Sequence, residues 1–339
     1  MTDVAEIAAR LVRSGRGILA ADESISTMNK RLTAAGVEPT EENRRAYRDM
    51  LVTTPNLSEG ASGVILCDET FRQKISDGQT FPEALNARGV LAGIKVDTGA
   101  KPLAGSPGET VTEGLDGLRE RLAEYVELGA SFCKWRAVFQ IGDGIPSWRG
   151  VRADTHALTR YASLCHEAGL VPIVEPEVLM DGDHSLDQCA AVTAAGLLTL
   201  FAELQDYEVA LDGVVLKPNM IVPGKSSGQT AEPGEVASRT VDTFKNSVPE
   251  QVSGIAFLSG GQSPDTAAAN LAALQKVDAP WPLTFSFGRA LVDPALKAWH
   301  GEPENVAAGQ AALGNRVAAN LAALRGEYRS AESERYALV

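Results

Sequence analysis

The chain has 339 residues, of which 44% are hydrophobic and 22% charged, a composition typical of a folded globular protein and not of a disordered one. It carries 44 acidic and 31 basic residues, and the net charge of −13 argues against nucleic acid or an anionic membrane as a partner. Charges interrupt the N-terminus, no uncharged run is long enough to span a membrane, and the cysteines form no CxxC pair, so we expect a cytoplasmic protein without disulfides.

In chain order, the pattern begins with one helix and continues with eight short apolar runs. The helix is predicted over residues 4–14. Each run is long enough for one buried strand, and the runs cover residues 17–22, 63–68, 91–97, 131–139, 171–179, 214–220, 254–261 and 283–291. Helix-period segments lie between most of them, at residues 112–128, 154–168, 185–205 and 264–276.

The alternation of apolar strands with helices predicts the fold class. Such strands form a parallel sheet that helices cover on both faces. Eight units in a row favour an α/β fold with a single (β/α)8 TIM barrel over residues 1–339, an extra N-terminal helix, and a mobile C-terminal tail over residues 326–339. A doubly wound open sheet is the alternative, although no GxGxxG follows the first strand, which disfavours its dinucleotide-binding form.

Seven of the eight predicted strands end in polar or ionisable residues. These residues are Asp22, Asp68, Lys95, Asp97, Lys134, Arg136, Glu175, Glu177, Lys217, Ser286 and Arg289. The C-terminal strand ends of a barrel form the mouth in which active sites lie, and residues spaced i, i+2 face the same side of a strand. A single charge there could be a solvated strand end, but packing alone does not explain so many.

Lys217 stands out because it lies in the apolar stretch VVLKPNM. Burial and repulsion by Lys134 across a barrel would favour one neutral amine, the nucleophile that forms Schiff bases. The alternative is a lysine that reaches solvent or pairs with Glu175. Glu175 and Glu177 form a pair suited to proton transfer, because a like-charged neighbour raises the pKa of a carboxyl toward neutrality; one of them could instead only hold a lysine.

Glycine-rich turns follow the last two strands, at residues 259–261 (Ser-Gly-Gly) and 287–289 (Phe-Gly-Arg). Barrels commonly bind phosphate there through backbone N–H groups, although tight turning alone would also select glycine. The segment PGKS at 223–226 ends like a nucleotide-binding P-loop, but Asn219 replaces the required first glycine, so we expect no nucleotide. The four histidines lack metal-ligand spacing, which favours a mechanism without a metal.

Eight strings of residues resemble class I fructose-bisphosphate aldolases and follow the family order over roughly residues 10–325. The strings are GILAADES, TEENRR, GIKVD, KWR, PIVEPE, LKPNM, FLSGGQS and GRALVDPALKAW. The resemblance implies a (β/α)8 barrel, usually a homotetramer, and a glycolytic and gluconeogenic lyase that needs no cofactor. Its substrate would be a small phosphorylated sugar, fructose 1,6-bisphosphate, cleaved reversibly to dihydroxyacetone phosphate and glyceraldehyde 3-phosphate.

The same resemblance assigns roles by position. Lys217 resembles the Schiff-base lysine, and Glu175 resembles the acid and base of carbinolamine formation and dehydration. Asp22 resembles the carboxylate that accepts the C4 hydroxyl proton, Lys134 the lysine that stabilises nearby charge, and Glu177 is the second acid of PIVEPE. Substrate and phosphate contacts are expected at Ser24, Thr27, Arg31, Arg44, Lys95, Arg136, Ser259, Gly260, Ser286, Gly288 and Arg289.

Two departures from the family pattern leave alternatives open. Residues 25–29 are Ile-Ser-Thr-Met-Asn where the family usually has T-G-S/T-I-A/G, which leaves substrate preference less defined than reaction type. Animal and plant members end in a tyrosine that protonates the enamine, whereas Tyr336 lies three residues inside this C-terminus. The alternatives are the same chemistry on fructose 1-phosphate or sedoheptulose 1,7-bisphosphate, and a non-catalytic barrel scaffold.

Overall fold

The computed structural model describes residues 4–329 and contains a closed barrel of eight parallel strands. The strands in chain order are β1 (Gly17–Ala21), β2 (Ala61–Leu66), β3 (Leu91–Lys95), β4 (Gly99–Pro102), β5 (Thr110–Glu113), β6 (Phe132–Phe139), β7 (Val171–Val178), β8 (Val215–Leu216), β9 (Gly254–Phe257) and β10 (Leu283–Phe287). The barrel follows the order β1-β2-β3-β6-β7-β8-β9-β10, and β10 pairs with β1 to close it. The predicted (β/α)8 barrel is therefore confirmed, and the open sheet is excluded.

Helices surround this barrel. They are α1 (Val4–Val12), α2 (Ile25–Ala34), α3 (Glu41–Val52), α4 (Leu57–Gly60), α5 (Asp68–Phe71), α6 (Phe81–Ala87), α7 (Leu118–Glu127), α8 (Trp148–Glu167), α9 (Leu186–Asp206), α10 (Pro233–Lys245), α11 (Pro264–Leu274), α12 (Arg289–Trp299) and α13 (Val306–Leu324). Within residues 4–329, none of the helices is long and apolar enough to cross a membrane.

The extra N-terminal helix, α1, closes the lower end of the barrel. Its buried residues Ile7, Ala8, Leu11 and Val12 belong to one apolar cluster with the inward-facing residues at the N-terminal ends of the strands. Those inward-facing residues include Ile18, Leu91, Phe132, Val171 and Val215. The lower half of the barrel is therefore a packed core, which leaves only the upper end open to solvent.

The inward-facing residues of the strands change from apolar at the lower end of the barrel to charged at the upper end. On β6 the inward series runs from Phe132 to Lys134 and Arg136, and on β7 it runs from Val171 through Ile173 to Glu175. Because side chains repeat every two residues along a strand, the apolar and the charged members share one face. The predicted i, i+2 pairs at the strand ends thus point into the upper end of the barrel.

One stretch folds differently from its predicted pattern. Residues 112–128 were expected to form one helix, but β4 and β5 pair as an antiparallel hairpin in which Gly99 lies opposite Glu113. Helix α7 begins only at Leu118, after Gly117 adopts a left-handed φ of +64°. The hairpin lies beyond the end of β3, at the mouth of the barrel.

Two predictions about the whole chain are not decided by this architecture. The single domain over residues 1–339 stays a prediction. Of the predicted mobile tail at 326–339, residues 330–339 lie outside the described part of the chain, and Tyr336 lies with them.

Candidate active site

A cavity of about 770 Å³ opens at the C-terminal ends of the barrel strands. Every predicted site residue except Arg44 lines it. They are Asp22, Ser24, Thr27, Arg31, Lys95, Lys134, Arg136, Glu175, Glu177, Lys217, Ser259, Gly260, Ser286, Gly288 and Arg289. Of the strand-end residues named from the sequence, all except Asp68 therefore converge on one site, as the barrel topology predicts; Asp68 begins α5 and pairs with Arg72.

A chain of alternating charges forms the floor of the cavity. The Nζ of Lys217 lies 3.1 Å from Oε1 of Glu175, and the Nζ of Lys134 lies 3.2 Å from the other oxygen, Oε2. Lys134 also contacts Oδ2 of Asp22 at 2.7 Å. Lys134, Glu175 and Lys217 are almost fully buried. A buried charge is costly unless it is paired, and here each ammonium group faces a carboxylate.

Asp22 and Glu175, the two carboxylates in this row of alternating charges, are both held in their charged form. Burial would raise the pKa of Asp22, but Lys134 and Lys217 outweigh it and lower the pKa to about 2. Burial would likewise raise the pKa of Glu175, yet Lys134, Lys217 and Arg136 lower it below its usual range. We predicted a Glu175 pKa raised by Glu177, and that prediction is wrong because three cations surround the carboxylate.

Lys134 is held in its charged form by its acidic neighbours. Burial would lower its pKa, but Asp22 and Glu175 together raise it above the usual value for lysine. Of the two lysines expected to repel each other, Lys134 is therefore not the neutral amine. Lys217, which contacts a single carboxylate oxygen, remains the candidate nucleophile.

A second pair of ionic contacts forms the wall above this floor. Arg136 donates from Nε to Oε2 of Glu177 at 2.5 Å, so Glu177 pairs with a cation and not with Glu175. Lys95 contacts Oδ1 of Asp97 at 2.6 Å, and Asp97 also accepts the backbone N–H of Gly99 at 3.1 Å. Asp97 thereby links strand β3 to the first residue of the hairpin.

The helix that follows β1, α2, begins at the edge of the cavity. Ser24 is the N-cap of α2 and accepts the backbone N–H of Thr27 at 3.3 Å, so the unusual residues 25–29 simply form the first helical turn. One turn further, Arg31 forms ion pairs with Glu23 and with Asp293, the latter at 2.8 Å. This face presents hydroxyl, backbone N–H and guanidinium donors to the cavity.

A second donor-rich face lies beside Lys217. The backbone N–H of Leu258 donates to the carbonyl of Pro218 at 3.0 Å, which places the turn at 259–261 next to the Lys217 strand end. Gly260 and Gly261 adopt left-handed φ values of +53° and +79°, which only glycine adopts freely. Ser286 adds a buried Oγ that has no hydrogen-bond partner within residues 4–329. We call residues 259–261 with Ser286 and Arg289 the phosphate cradle.

Arg44 does not reach the cavity. Its Nε and Nη2 donate to both carboxylate oxygens of Glu69 at 2.7–3.2 Å, and its Nη1 donates to Asn29 at 2.8 Å. A guanidinium that already makes a two-pronged contact with a carboxylate has no free fork for a phosphate. The phosphate contact predicted for Arg44 is therefore corrected: Arg44 joins α3 to α5 and α2.

Three groups of lining residues were missed. Lys30 lies one residue before Arg31 on α2, and Lys101 lines the same cavity with its hairpin neighbours Gly99 and Ala100. The glycines and prolines at 99–108 are typical of turns, but nothing in their pattern indicates a hairpin that lines the cavity. Glu23 was also missed, although it directly follows Asp22 at the end of β1.

In the described part of the chain, no group of three or more His, Cys, Asp or Glu side chains is suited to hold a metal ion.

Comparisons with known proteins agree on one family. The family model for fructose-bisphosphate aldolase class-I matches residues 3–338. A probable fructose-bisphosphate aldolase class 1 from Xanthomonas axonopodis pv. citri is 51% identical over 96% of this chain and 98% of its own length. The fructose-bisphosphate aldolase of Drosophila melanogaster is 49% identical over 96% of this chain and 91% of its own length.

A solved structure extends the likeness to the fold. Fructose-bisphosphate aldolase from Plasmodium falciparum, in a complex with TRAP and a small molecule inhibitor, superposes with a TM-score of 0.94 at 43% identity. The match covers 96% of this chain and 95% of that one.

Proposed function

The chain belongs to the class-I fructose-bisphosphate aldolase family, and from that premise we propose that it cleaves fructose 1,6-bisphosphate reversibly through a Schiff base on Lys217. The products are dihydroxyacetone phosphate and glyceraldehyde 3-phosphate. The observation that carries the proposal is the buried lysine whose Nζ lies 3.1 Å from Glu175, at the base of a cavity rich in cations.

In the first step, Glu175 takes one proton from the ammonium form of Lys217. The resulting neutral amine then attacks the C2 carbonyl carbon of the sugar. A second proton passes from the amine to the former carbonyl oxygen, giving a carbinolamine. Glu175 then returns its proton to that hydroxyl group, which departs as water and leaves a cationic iminium. The distance of 3.1 Å between Nζ of Lys217 and Oε1 of Glu175 makes the first of these transfers, from the lysine to the carboxylate, direct.

In the second step, the bond between C3 and C4 breaks. Asp22, ionised because its pKa is about 2, accepts the proton of the C4 hydroxyl. The C3–C4 electron pair moves toward the iminium nitrogen and forms a neutral enamine, while C4 becomes the aldehyde carbon of glyceraldehyde 3-phosphate. Lys134, 2.7 Å from Asp22, stabilises negative charge that develops on oxygen during this transfer. Protonation at C3 and hydrolysis then release dihydroxyacetone phosphate.

The two donor-rich faces orient the substrate. Because the phosphate cradle lies beside the Lys217 strand end, it suits the phosphate on C1, the carbon next to the reacting C2. Ser24, Thr27 and Arg31, together with Lys95 and Arg136, supply donors for the distal phosphate. Two fixed phosphates confine the sugar and lower the entropic cost of aligning C2 with the amine.

Borohydride trapping tests this proposal. The protein is treated with dihydroxyacetone phosphate and sodium borohydride, with and without EDTA, and the adduct is located by peptide mass mapping. We expect a stable adduct on Lys217 in both conditions. An adduct that EDTA abolishes, or no adduct in folded protein, would contradict the mechanism, and the second outcome would support a non-catalytic scaffold.

Substrate preference is measured on the same protein. We expect kcat/KM for fructose 1,6-bisphosphate to exceed the values for fructose 1-phosphate and sedoheptulose 1,7-bisphosphate. A higher value for either of these sugars would keep the chemistry and change the assigned substrate.

Assembly and location are part of the same proposal. The family resemblance supports a homotetramer, and light scattering coupled to gel filtration would return four times the chain mass if this is right. The four free cysteines are all buried, which suits the reducing cytoplasm, and cell fractionation tests that location.

A further inference from the structure

Lys225 lies at the outer edge of the phosphate cradle. It belongs to the PGKS segment at 223–226, which ends like a nucleotide-binding P-loop but lacks the first glycine of that motif. Its Nζ lies 3.1 Å from the point that a Cβ of Gly261 would occupy, and Nη2 of Arg289 lies 3.3 Å from that same point. Two cations therefore approach the backbone of Gly261 closely, which the absence of a side chain at residue 261 permits.

The position of Lys225 is fixed by its backbone. The three consecutive N–H groups of residues 224–226 donate to carbonyls of residues 184, 180 and 182, at 2.8 to 2.9 Å. Gly224 permits this approach, since a Cβ at Gly224 would collide with the backbone of Gly182. The lysine is thus presented from a tethered turn, and only its side chain is free to move.

The charges at this edge are incompletely balanced. Lys225 contacts Oδ1 of Asp181 at 3.2 Å, a pair in which the aspartate side chain is 67% exposed. Within residues 4–329, Arg289 forms no ion pair with a carboxylate. An exposed ion pair contributes little stability, so Lys225 can exchange Asp181 for a stronger anionic partner at small cost. A phosphate in the cradle would offer such a partner to both cations at once.

We propose that Lys225 is a specificity-determining residue that binds, together with Arg289, the phosphate on C1 of the substrate. This inference rests on the proposed function, because it assigns C1 to the cradle from the position of Lys217. Asp181 holds the lysine when the cradle is empty and competes with the phosphate for it. Lys225 contributes to binding and not to bond cleavage, since its ion pair is with Asp181 and not with Asp22 or Glu175.

The contribution of Lys225 to binding is measured by how the yield of borohydride adduct depends on the concentration of dihydroxyacetone phosphate. In the Lys225→Met variant, the half-saturating concentration should rise about tenfold, which corresponds to about 1.4 kcal/mol, while the maximal adduct yield stays unchanged. Lys225→Arg should restore most of the affinity, and Asp181→Asn should lower the half-saturating concentration severalfold. Dihydroxyacetone, which lacks the phosphate, should saturate wild type and Lys225→Met equally.

Lys245→Met is a matched control. Lys245 is 42% exposed, close to the 44% of Lys225, and it also pairs with an aspartate, but it ends α10 at the opposite end of the barrel. This control should leave the half-saturating concentration unchanged. Higher salt should weaken phosphate-dependent trapping more in wild type than in Lys225→Met, because screening acts on the exposed charge.

The outcomes separate the two proposals. If wild type forms no adduct at any concentration, the proposed function fails. If wild type forms the adduct and Lys225→Met has the same half-saturating concentration, the proposed function stands and the role of Lys225 is refuted. Equal losses for dihydroxyacetone and its phosphate would also refute it, because they would indicate a general disturbance of the site.

Discussion

Asp154 provides a pH-dependent test of how the hairpin is attached to the barrel. This residue of α8 is 1% exposed, and its Oδ1 accepts the backbone N–H of Thr112 on β5 at 2.9 Å. Burial raises the pKa of Asp154 to about 7, with a smaller contribution from Glu109, and the Thr112 hydrogen bond offsets only part of it. Asp154 therefore titrates near neutral pH in the folded protein, far above its unfolded value.

The difference between the folded and the unfolded pKa of Asp154 determines how stability changes with pH. A group whose pKa is raised on folding contributes stability below its unfolded pKa, and this stability is lost as the pH rises through the folded pKa. For Asp154 the loss runs from about pH 4 to about pH 7. The rise from 3.8 to about 7 corresponds to about 4 kcal/mol in total, of which about 3 kcal/mol falls above pH 5.

The substitution Asp154→Asn removes the titrating carboxyl group and keeps a side chain of nearly the same size and shape. The amide oxygen can still accept the Thr112 N–H, while the side chain stays neutral at every pH. We expect the free energy of unfolding of the variant, relative to that of wild type, to increase by about 3 kcal/mol from pH 5 to pH 8. With the usual unfolding entropy of a chain this long, that gain is about 4 °C in Tm. Thermal melts at both pH values measure it.

Asp278→Asn is the control for this experiment. The Asp278 side chain is fully exposed, so its neutralisation should shift the Tm equally at pH 5 and pH 8. A difference between Asp154→Asn and wild type that stays constant from pH 5 to pH 8 would refute the reasoning. A variant that is less stable than wild type at pH 8 would refute it as well.

The remaining predictions concern the charged floor of the cavity. Lys217→Ala should fold, as near-UV circular dichroism reports, and lose essentially all cleavage and all borohydride adduct; an active variant would exclude it as the nucleophile. Glu175→Gln should slow adduct formation about 10² to 10⁴-fold, and an unchanged rate would remove Glu175 from proton transfer. Lys134→Met removes the strongest cation beside Asp22, so the pKa of Asp22 should rise and the acid limb of the kcat/KM profile should move to higher pH. An unmoved limb would mean that Asp22 does not control it.

Much of the fold could be predicted because parallel barrel strands are buried on both faces. Each strand then appears as a continuous apolar run, and the change to charge marks the mouth. The hairpin at β4 and β5 could not be predicted this way, because its four-residue strands pair with each other outside the barrel sheet and contain no continuous apolar run. Its location depends on a contact that is distant in sequence, because Asp154 accepts the backbone N–H of Thr112, 42 residues away.

The membership of the site was predictable, but its charge states were not. Barrel topology gathers the strand ends and the first turns of the helices that follow them, so fifteen predicted residues meet in one cavity. Which carboxylate pairs with which cation depends on distances of a few ångströms across the barrel. Glu175 and Glu177 are spaced for mutual repulsion, yet Lys134 and Lys217 contact the first and Arg136 contacts the second. Arg44 shows the converse, since nothing in TEENRR predicts its partner Glu69.

The lowered pKa of Glu175 links its proton affinity to the state of Lys217. Two ammonium groups lower that pKa in the free protein, and one of them is the nucleophile itself. When Lys217 becomes a neutral amine, one of these charges disappears and the pKa of Glu175 rises, which favours the carboxyl as the holder of the proton. When the iminium forms, a positive charge returns to the same nitrogen, the pKa falls again, and Glu175 is driven to give its proton to the departing hydroxyl. A carboxyl with a permanently raised pKa would make only the first of these transfers easier, because it would hold the proton too tightly to donate it, whereas a carboxylate shared by two lysines changes its proton affinity in step with the reaction.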